Sequence, residues 1–353
     1  MQKRLQNINY LDIVLWFIRA SIIIIVVWGT IATLRDNPYS ARNWTDFVVL
    51  GIAQGSMYAL IAIGYTLVYG VLFMINFAHG EFFMSGIMTA TVFVAGPLGS
   101  SGYIDKHPII SLLLIFLASM LTSVGVALLT ERIAYRPLRK APRLVPLITA
   151  IGASFFLQYT FRGLYGSEVK PFPQIGILSG KIPFLGTEIL QSQMVVIVAT
   201  VIMLVSLYFF IMRTKTGKAI RAVAEDKDVA ALMGIDVDRT ISITFALGAS
   251  MAGAAGVLYA LVFRQVHFFM GFLPGLKAFT AAVLGGIGSI PGAAIGGLFL
   301  GIFESVGPPL FLDGLGVPAY HQLKDVITFT LLVLILIFRP QGILGERLAE
   351  KKA

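Results

Sequence analysis

Eight apolar runs, each bounded by charges or by Gly/Pro clusters, dominate this sequence: about 13 to 33, 47 to 75, 81 to 96, 109 to 131, 144 to 161, 193 to 212, 240 to 262 and 323 to 338. The hydrocarbon core of a bilayer, about 30 Å thick, is crossed by about 20 apolar residues in a helix. No water reaches backbone N–H and C=O groups there, so each run must satisfy its own hydrogen bonds, as a helix does. Composition agrees: 57% of the 353 residues are hydrophobic and 13% charged, against about 25% charged in soluble domains. The expected fold is all-α, a single transmembrane domain over 1 to 353 with about eight to ten spans.

A ninth apolar tract, 277 to 305, is interrupted by Gly285-Gly286-Ile287-Gly288-Ser289-Ile290-Pro291-Gly292. Such a break survives at membrane depth only where the freed backbone is buried in protein or lines a cavity, so two short helices meeting at a broken or re-entrant point are expected. Charge then orients the chain. Segment 132 to 143 carries Arg132, Arg136, Arg139, Lys140 and Arg143 without an acid, and segment 213 to 239 carries Arg213, Lys215, Lys218, Arg221, Lys227 and Arg239. Both are expected in the cytoplasm with the N-terminus (Lys3, Arg4) and the tail (Arg339, Arg347, Lys351, Lys352). The remaining loops are basic-poor and expected outside, which parity allows only if 277 to 305 enters and leaves on the outer side. The net charge of +9 is thus a topology signal rather than a nucleic-acid footprint. Residues 1 to 40 form an extra helix, read as a retained anchor because Ala32-Thr33-Leu34 is a poor cleavage site. Outer loop 162 to 192, rich in Gly (including Gly186) and Pro, is expected to be an ordered cap or docking surface.

Polar groups inside these runs are the functional candidates, since insertion of an ionisable residue at a helix centre costs about 2.5–3.5 kcal/mol. Asn76, His79 and Glu81 lie between two apolar stretches with no nearby Lys or Arg. They either border a path or gate, or, for Asn76 and His79, cap helix ends at a tight turn with Gly80. Glu304 is the other acid in an apolar tract and is expected at the outer end of its helix. Gln54 and Tyr58 are path candidates on a helix whose Gly51, Gly55 and Ala59 recur every four residues, a spacing that lets helices approach closely. Gly248, Ala252, Gly256 and Ala260 repeat the pattern.

Loop 213 to 239 reads as a helical run, Lys218 to Glu225, then a short helix capped by Asp226 or Asp228 with Val229, Leu232 and Met233 on one face, stopped by Gly234. An interfacial helix lying on lipid would prefer basic flanks and bulky aromatics, whereas the polar face here is mixed (Glu225, Asp226, Lys227, Asp228), so a soluble partner is expected in preference to lipid. The chain has no energy source of its own: Gly217-Lys218 is followed by Ala219, not the Ser or Thr of a phosphate-binding loop. Four His and no Cys offer no metal cluster or nucleophile–base pair, and no cofactor is expected.

Four tracts together resemble the branched-chain amino-acid permease family, the membrane subunits of bacterial ATP-driven importers. They are Gly55-Ser-Met-Tyr-Ala-Leu60 with Gly64-Tyr-Thr-Leu-Val-Tyr-Gly70 and Met74-Ile-Asn-Phe-Ala-His-Gly-Glu81; Gly217-Lys-Ala-Ile-Arg-Ala-Val223 with Ala230-Ala-Leu-Met-Gly-Ile235; Pro274 to Gly292; and Arg339-Pro-Gln-Gly-Ile-Leu-Gly345. The resemblance covers roughly 47 to 345 and leaves out the first helix. It implies import of branched-chain or other small amino acids, or urea and short amides, by alternating access in the bacterial inner membrane. It also implies a second, similar or identical permease, two cytoplasmic ATPase subunits and an external solute-binding protein. Ala230, Ala231 and Gly234 look like a degenerate form of the family's ATPase-contacting loop, with Val229 where an acid would stand and Glu225 and Asp226 displaced before it; Leu232 lies within it. The path or gate residues expected are Gln54, Tyr58, Asn76, His79, Glu81, Gly285, Gly286, Gly288, Ser289 and Glu304.

The competing reading is an ion-coupled secondary carrier with Glu81 and Glu304 as ion sites and 285 to 292 as its broken helix. A passive channel for a small neutral solute ranks third, and a membrane enzyme last.

Overall fold

The computed structural model describes residues 10–36, 38–139, 141–142, 144–184, 187–338 and 342–344. Lys3, Arg4, Lys140, Arg143, Gly186, Arg339, Arg347, Lys351 and Lys352 lie outside them. Among the described residues, nine helices are long and apolar enough to cross a membrane, and a tenth, Phe272–Gly285, is shorter. We label the helices α1 (Tyr10–Asp36), α2 (Ala41–Leu72), α3 (His79–Ala90), α4 (Pro108–Thr130), α5 (Leu144–Tyr165), α6 (Gln191–Arg213), α7 (Lys215–Glu225), α8 (Lys227–Leu232), α9 (Val237–Phe263), α10 (Phe272–Gly285), α11 (Ile290–Gly307) and α12 (Lys324–Phe338). The all-α bundle expected from sequence is what forms.

Helix ends shift where caps act. α2 starts at Ala41 rather than 47 because Ser40 and Asn43 form a reciprocal capping box, each side chain receiving the other's backbone N–H. α3 starts at His79 rather than 81, which places His79 and Glu81 in its first turn. α3, α4 and α11 run on through π-helical turns at Thr91–Ala95, Glu131–Tyr135 and Pro308–Leu312.

α2 is the axis of the bundle: 78% of its apolar window is buried in the chain, against 6% for α1 and for α12. Its small-residue stripe meets a matching one on α11. A Cβ added at Gly55 would lie 2.8 Å from the Gly297 carbonyl oxygen and from the Leu298 Cα, and one added at Gly297 would lie 2.5 Å from Ala59 Cα. Ser305 Oγ donates to the Phe47 carbonyl at 2.7 Å and continues the seam. On its other side α11 packs antiparallel to α10, Gly285 against Gly292 and Gly296 against Ala281. The expected break in tract 277 to 305 is therefore present: α10 ends at Gly285, Gly286 and Gly288 have φ of 103° and 100°, and Ser289 caps α11 by accepting from Gly292 N–H at 3.1 Å. The second stripe also makes helix contacts, with Gly248 against Gly64 and Gly256 against Phe83 and Ile87.

The outer-loop candidate is ordered, with short strands not expected from its sequence. Lys170–Pro171 (β1) pairs with Gln265–Val266 (β4), and Lys181–Phe184 (β2) pairs with Thr187–Leu190 (β3). Glu188 joins Lys181 at 3.0 Å and Arg42 at 3.2 Å, tying this segment to the start of α2. α1 packs on the 307–315 region, where Gly314 N–H donates to Thr33 Oγ1 at 2.9 Å.

A pair of glycine substitutions separates close packing from helix propensity. Gly55→Ala is expected to destabilise by about 1–3 kcal/mol through overpacking. Gly125→Ala, at a glycine with nothing within 4 Å of the new methyl, is expected to be neutral or stabilising by up to about 1 kcal/mol. Thermal unfolding of the two variants in detergent reads the opposite signs.

Candidate functional site

Three polar constructions sit on this scaffold. The first begins where α2 ends. Phe73 leaves the helix at a φ of 55°, and the chain turns back so that His79 lies beside α2 again. Asn76 Oδ1 accepts from Ala78 N–H at 3.1 Å and from the Tyr135 hydroxyl at 2.6 Å. Asn76 thus braces the turn, as the capping alternative expected. His79 does not cap. Its ring stands edge-on to Tyr65 and Phe82 at centroid distances of 4.8 and 5.6 Å and fills the space above Gly64, where any Cβ would collide with it.

Glu81, fully buried, crosses from α3 to α5: its Oε1 accepts from Gln158 Nε2 at 2.7 Å and Ser154 Oγ at 3.1 Å. Its Oε2 has no hydrogen-bond partner among the described residues and faces Gly271, where an added Cβ would lie 2.9 Å away. Gly80 and Gly271 are also in contact, so the first turns of α3 and α10 converge on this carboxylate. Ser123 and Ser119 extend the joint by donating to the Phe82 and Gly253 carbonyls, both at 2.7 Å.

The second construction holds Glu304. It stands in the last turn of α11 and is buried at 3% exposure, with Lys277 Nζ 2.6 Å from its Oε1. Lys277, itself 5% exposed, also reaches Asp325 Oδ1 at 2.6 Å, and the Tyr58 ring lies 5.9 Å from its ammonium. One cation shared by two carboxylates therefore links α2, α10, α11 and α12. An unpaired charge here would bear its full desolvation cost, which is why the three occur together. Gln54 is buried on α2 one turn before Tyr58. Gly285, Gly286, Gly288 and Ser289 are used in packing, turning and capping.

The third is the α7–α8 hairpin at the end of the bundle where α2 finishes. α7 buries Gly217, Ile220 and Val223 against α6, α2 and α9. Asp226, not Asp228, caps α8, its Oδ1 accepting from Asp228 N–H at 2.9 Å and Val229 N–H at 3.0 Å. Gly234, at φ 82°, closes a left-handed stop in which Ile235 N–H donates to Ala230 at 3.1 Å. Val229, Leu232 and Met233 are left 54%, 86% and 78% exposed. Ala231 and Glu225 are exposed too, whereas Ala230 faces inward. Of the displaced acids, Asp226 is occupied by the cap and only Glu225 remains free to meet a partner.

Several residues escaped the sequence reading. Ser154 and Gln158, four apart in an apolar run, were detectable as a polar pair on one helix face. Lys277 marked the start of an apolar tract and was not weighed as a charge within it. Glu131 carries no such signal: it is buried at 2% beside Arg139 and accepts from Ser242 Oγ at 3.1 Å. Arg136 and Arg139 also pair with Asp238, so part of the positive charge used to orient loop 132 to 143 is matched by acids.

Nine helices long and apolar enough to span among the described residues, packed around a glycine-sealed axis with a buried ion triad and a hairpin with a bare apolar stripe, make this a multi-pass membrane protein. Residues 47–336 match the family described as branched-chain amino acid transport system, permease component, and the chain belongs to that family. The high-affinity branched-chain amino acid transport system permease protein BraD of Pseudomonas aeruginosa is 44% identical over 312 residues, covering 88% of this chain and 98% of BraD. LivH of Escherichia coli K12, of the same description, is 41% identical over 307 residues, covering 85% of this chain and 95% of LivH. The family match begins after α1, which is the segment the sequence resemblance also left out.

The ion triad predicts a non-additive series. Lys277→Met strands two carboxylates and is expected to cost about 3–5 kcal/mol. The triple variant Lys277→Met, Glu304→Gln, Asp325→Asn removes all three charges and is expected to recover most of that loss, as read by denaturant unfolding in detergent.

Proposed function

We propose that this chain forms the translocation path for branched-chain or other small amino acids, or for urea and short amides, as the permease of an ATP-driven importer working by alternating access. The observation that carries the reading is α8: a helix fixed at both ends whose apolar stripe points away from the bundle and is left uncovered. Such a surface suits a soluble partner, and we assign it to two ATPase subunits docking in the cytoplasm. That assignment places both termini of the chain inside and the 162–192 segment outside, where an external solute-binding protein docks, in a bacterial inner membrane.

A second permease, identical or similar, completes the path. The route runs between the two subunits, with lipid on the remaining faces. In this reading Gln54, Tyr58, Asn76, His79 and Glu81, all buried within the chain, gate the route from behind its wall, and Gly285, Gly286, Gly288 and Ser289 supply the flexing break. Glu225, Ala231, Leu232 and the Gly234 stop form the coupling contact, with Asp226 and Ala230 shaping it. The ion-coupled carrier is disfavoured by the pairing of Glu304 with Lys277, which removes one of its two ion sites.

Leu232→Asp with Met233→Asp is expected to abolish both association with the ATPase subunits and ATP-driven uptake while leaving the permease folded. Normal association and uptake in that variant would remove the coupling assignment. Uptake by vesicles holding the permease alone under an imposed ion gradient, without nucleotide, would instead establish the ion-coupled carrier.

A further inference from the structure

The C-terminal segment Gly342–Leu344 is joined to the broken helix. Ile343 N–H donates to the Leu284 carbonyl at 2.7 Å and Leu344 N–H to the Gly285 carbonyl at 3.0 Å. These carbonyls belong to the last turn of α10, whose acceptors no residue of α10 itself can satisfy. Gly342 adopts a φ of 74° and packs on Val283 and Gly286; an added Cβ would lie 2.5 Å from Gly286 N. Only glycine meets both conditions. The segment is therefore a built joint rather than a loose end.

It lies at the same end of the bundle as α7–α8. Ile287, within the break, shares a pocket wall with Tyr69 and Ile75, and Gly70, the residue after Tyr69, is the point where α2 meets Ala224 of α7. The element the segment docks on is a core one, with Ala281, Ala282, Val283, Leu284 and Gly285 all buried. A peptide bonded to the last carbonyls of a core helix lies at the end of that helix. Yet the side chains it presents are apolar: Ile343 and Leu344 are 40% and 47% exposed.

We propose that Gly342–Leu344 is a second contact for the ATPase subunit, a latch that carries its movement directly to the α10–α11 break while α8 carries it to α2. The proposal rests on the coupling reading given above. The partner surface it requires is an apolar patch on the soluble subunit, continuous with the one that receives Leu232 and Met233.

The sequence contains no Cys, so single thiols report cleanly. Leu344→Cys and Leu232→Cys permeases are each labelled with benzophenone maleimide before the ATPase subunits are added, assembled with them in phospholipid nanodiscs and irradiated, and the adducts are identified by mass spectrometry. An ATPase adduct from position 344 supports the latch. It should fall several-fold when Gly342→Ala is added, with the adduct from position 232 unchanged. Adducts from 344 with phospholipid alone overturn the latch and place the segment in the inner leaflet. An adduct from 232 with none from 344 overturns the latch and leaves the coupling reading standing; no ATPase adduct from either overturns both.

Discussion

The fold depends on backbone contact between helices. In lipid there is no hydrophobic gain from bringing two apolar helices together, because the tails they displace are as apolar as the side chains; association draws on close van der Waals packing and buried hydrogen bonds. α11 meets this requirement on two sides, with Gly297 and Gly301 against α2 and Gly292 and Gly296 against α10. A helix seated in two such grooves cannot slide without separating backbones, so α2, α10 and α11 form one slab. The helices with little buried surface, α1 and α12, are added to its edge.

Polar groups then do what small residues cannot, which is to choose one arrangement among many apolar ones. Lys277 fixes the register of α10, α11 and α12 at once, because moving any of them by a turn would leave a charge unpaired in a medium where that costs several kcal/mol. Glu81 does the same for α5. That helix buries only a narrow line, Pro146, Ala150, Ser154, Leu157, Gln158 and Phe161, and its polar ties to α3 are the hydrogen bonds to Glu81 and the pairing of Thr89 Oγ1 with the Tyr165 hydroxyl at 3.2 Å. α5 is thus tied to α3 at two levels, with the fully buried Glu81 carboxylate as the deeper one.

This division explains what could be read beforehand. The spans were legible because bilayer thickness imposes a length, and the break at 285–292 because Gly and Pro at that depth have few uses. The α8 hairpin was legible because Asp226, Gly234 and the Val229-Leu232-Met233 stripe are all local in sequence. The ion triad was not: Lys277, Glu304 and Asp325 are separated by 27 and 21 residues, and no local rule says that an acid three residues from the end of one helix finds a lysine in the second turn of another. The capping box at Ser40 and Asn43 lengthened α2 in a place where apolar counting alone sees only a polar loop.

The placement of the hairpin has a mechanical consequence. α7 rests on the last turn of α2, and α2 passes at Phe73 into the turn that Asn76 and Tyr135 brace, one residue pair before His79 and Glu81. A push on α8 therefore has a short rigid route to the carboxylate that holds α5: through Val223 and Ile220 of α7, into the end of α2, across a six-residue turn, Phe73 to Ala78, and into the first turn of α3. The route contains packed side chains, a buried hydrogen bond from Tyr135 and a helix start. Closely packed elements respond to such a push by switching between arrangements rather than bending continuously. The element at the far end of the route, α5, is reached through that carboxylate by Gln158 and Ser154.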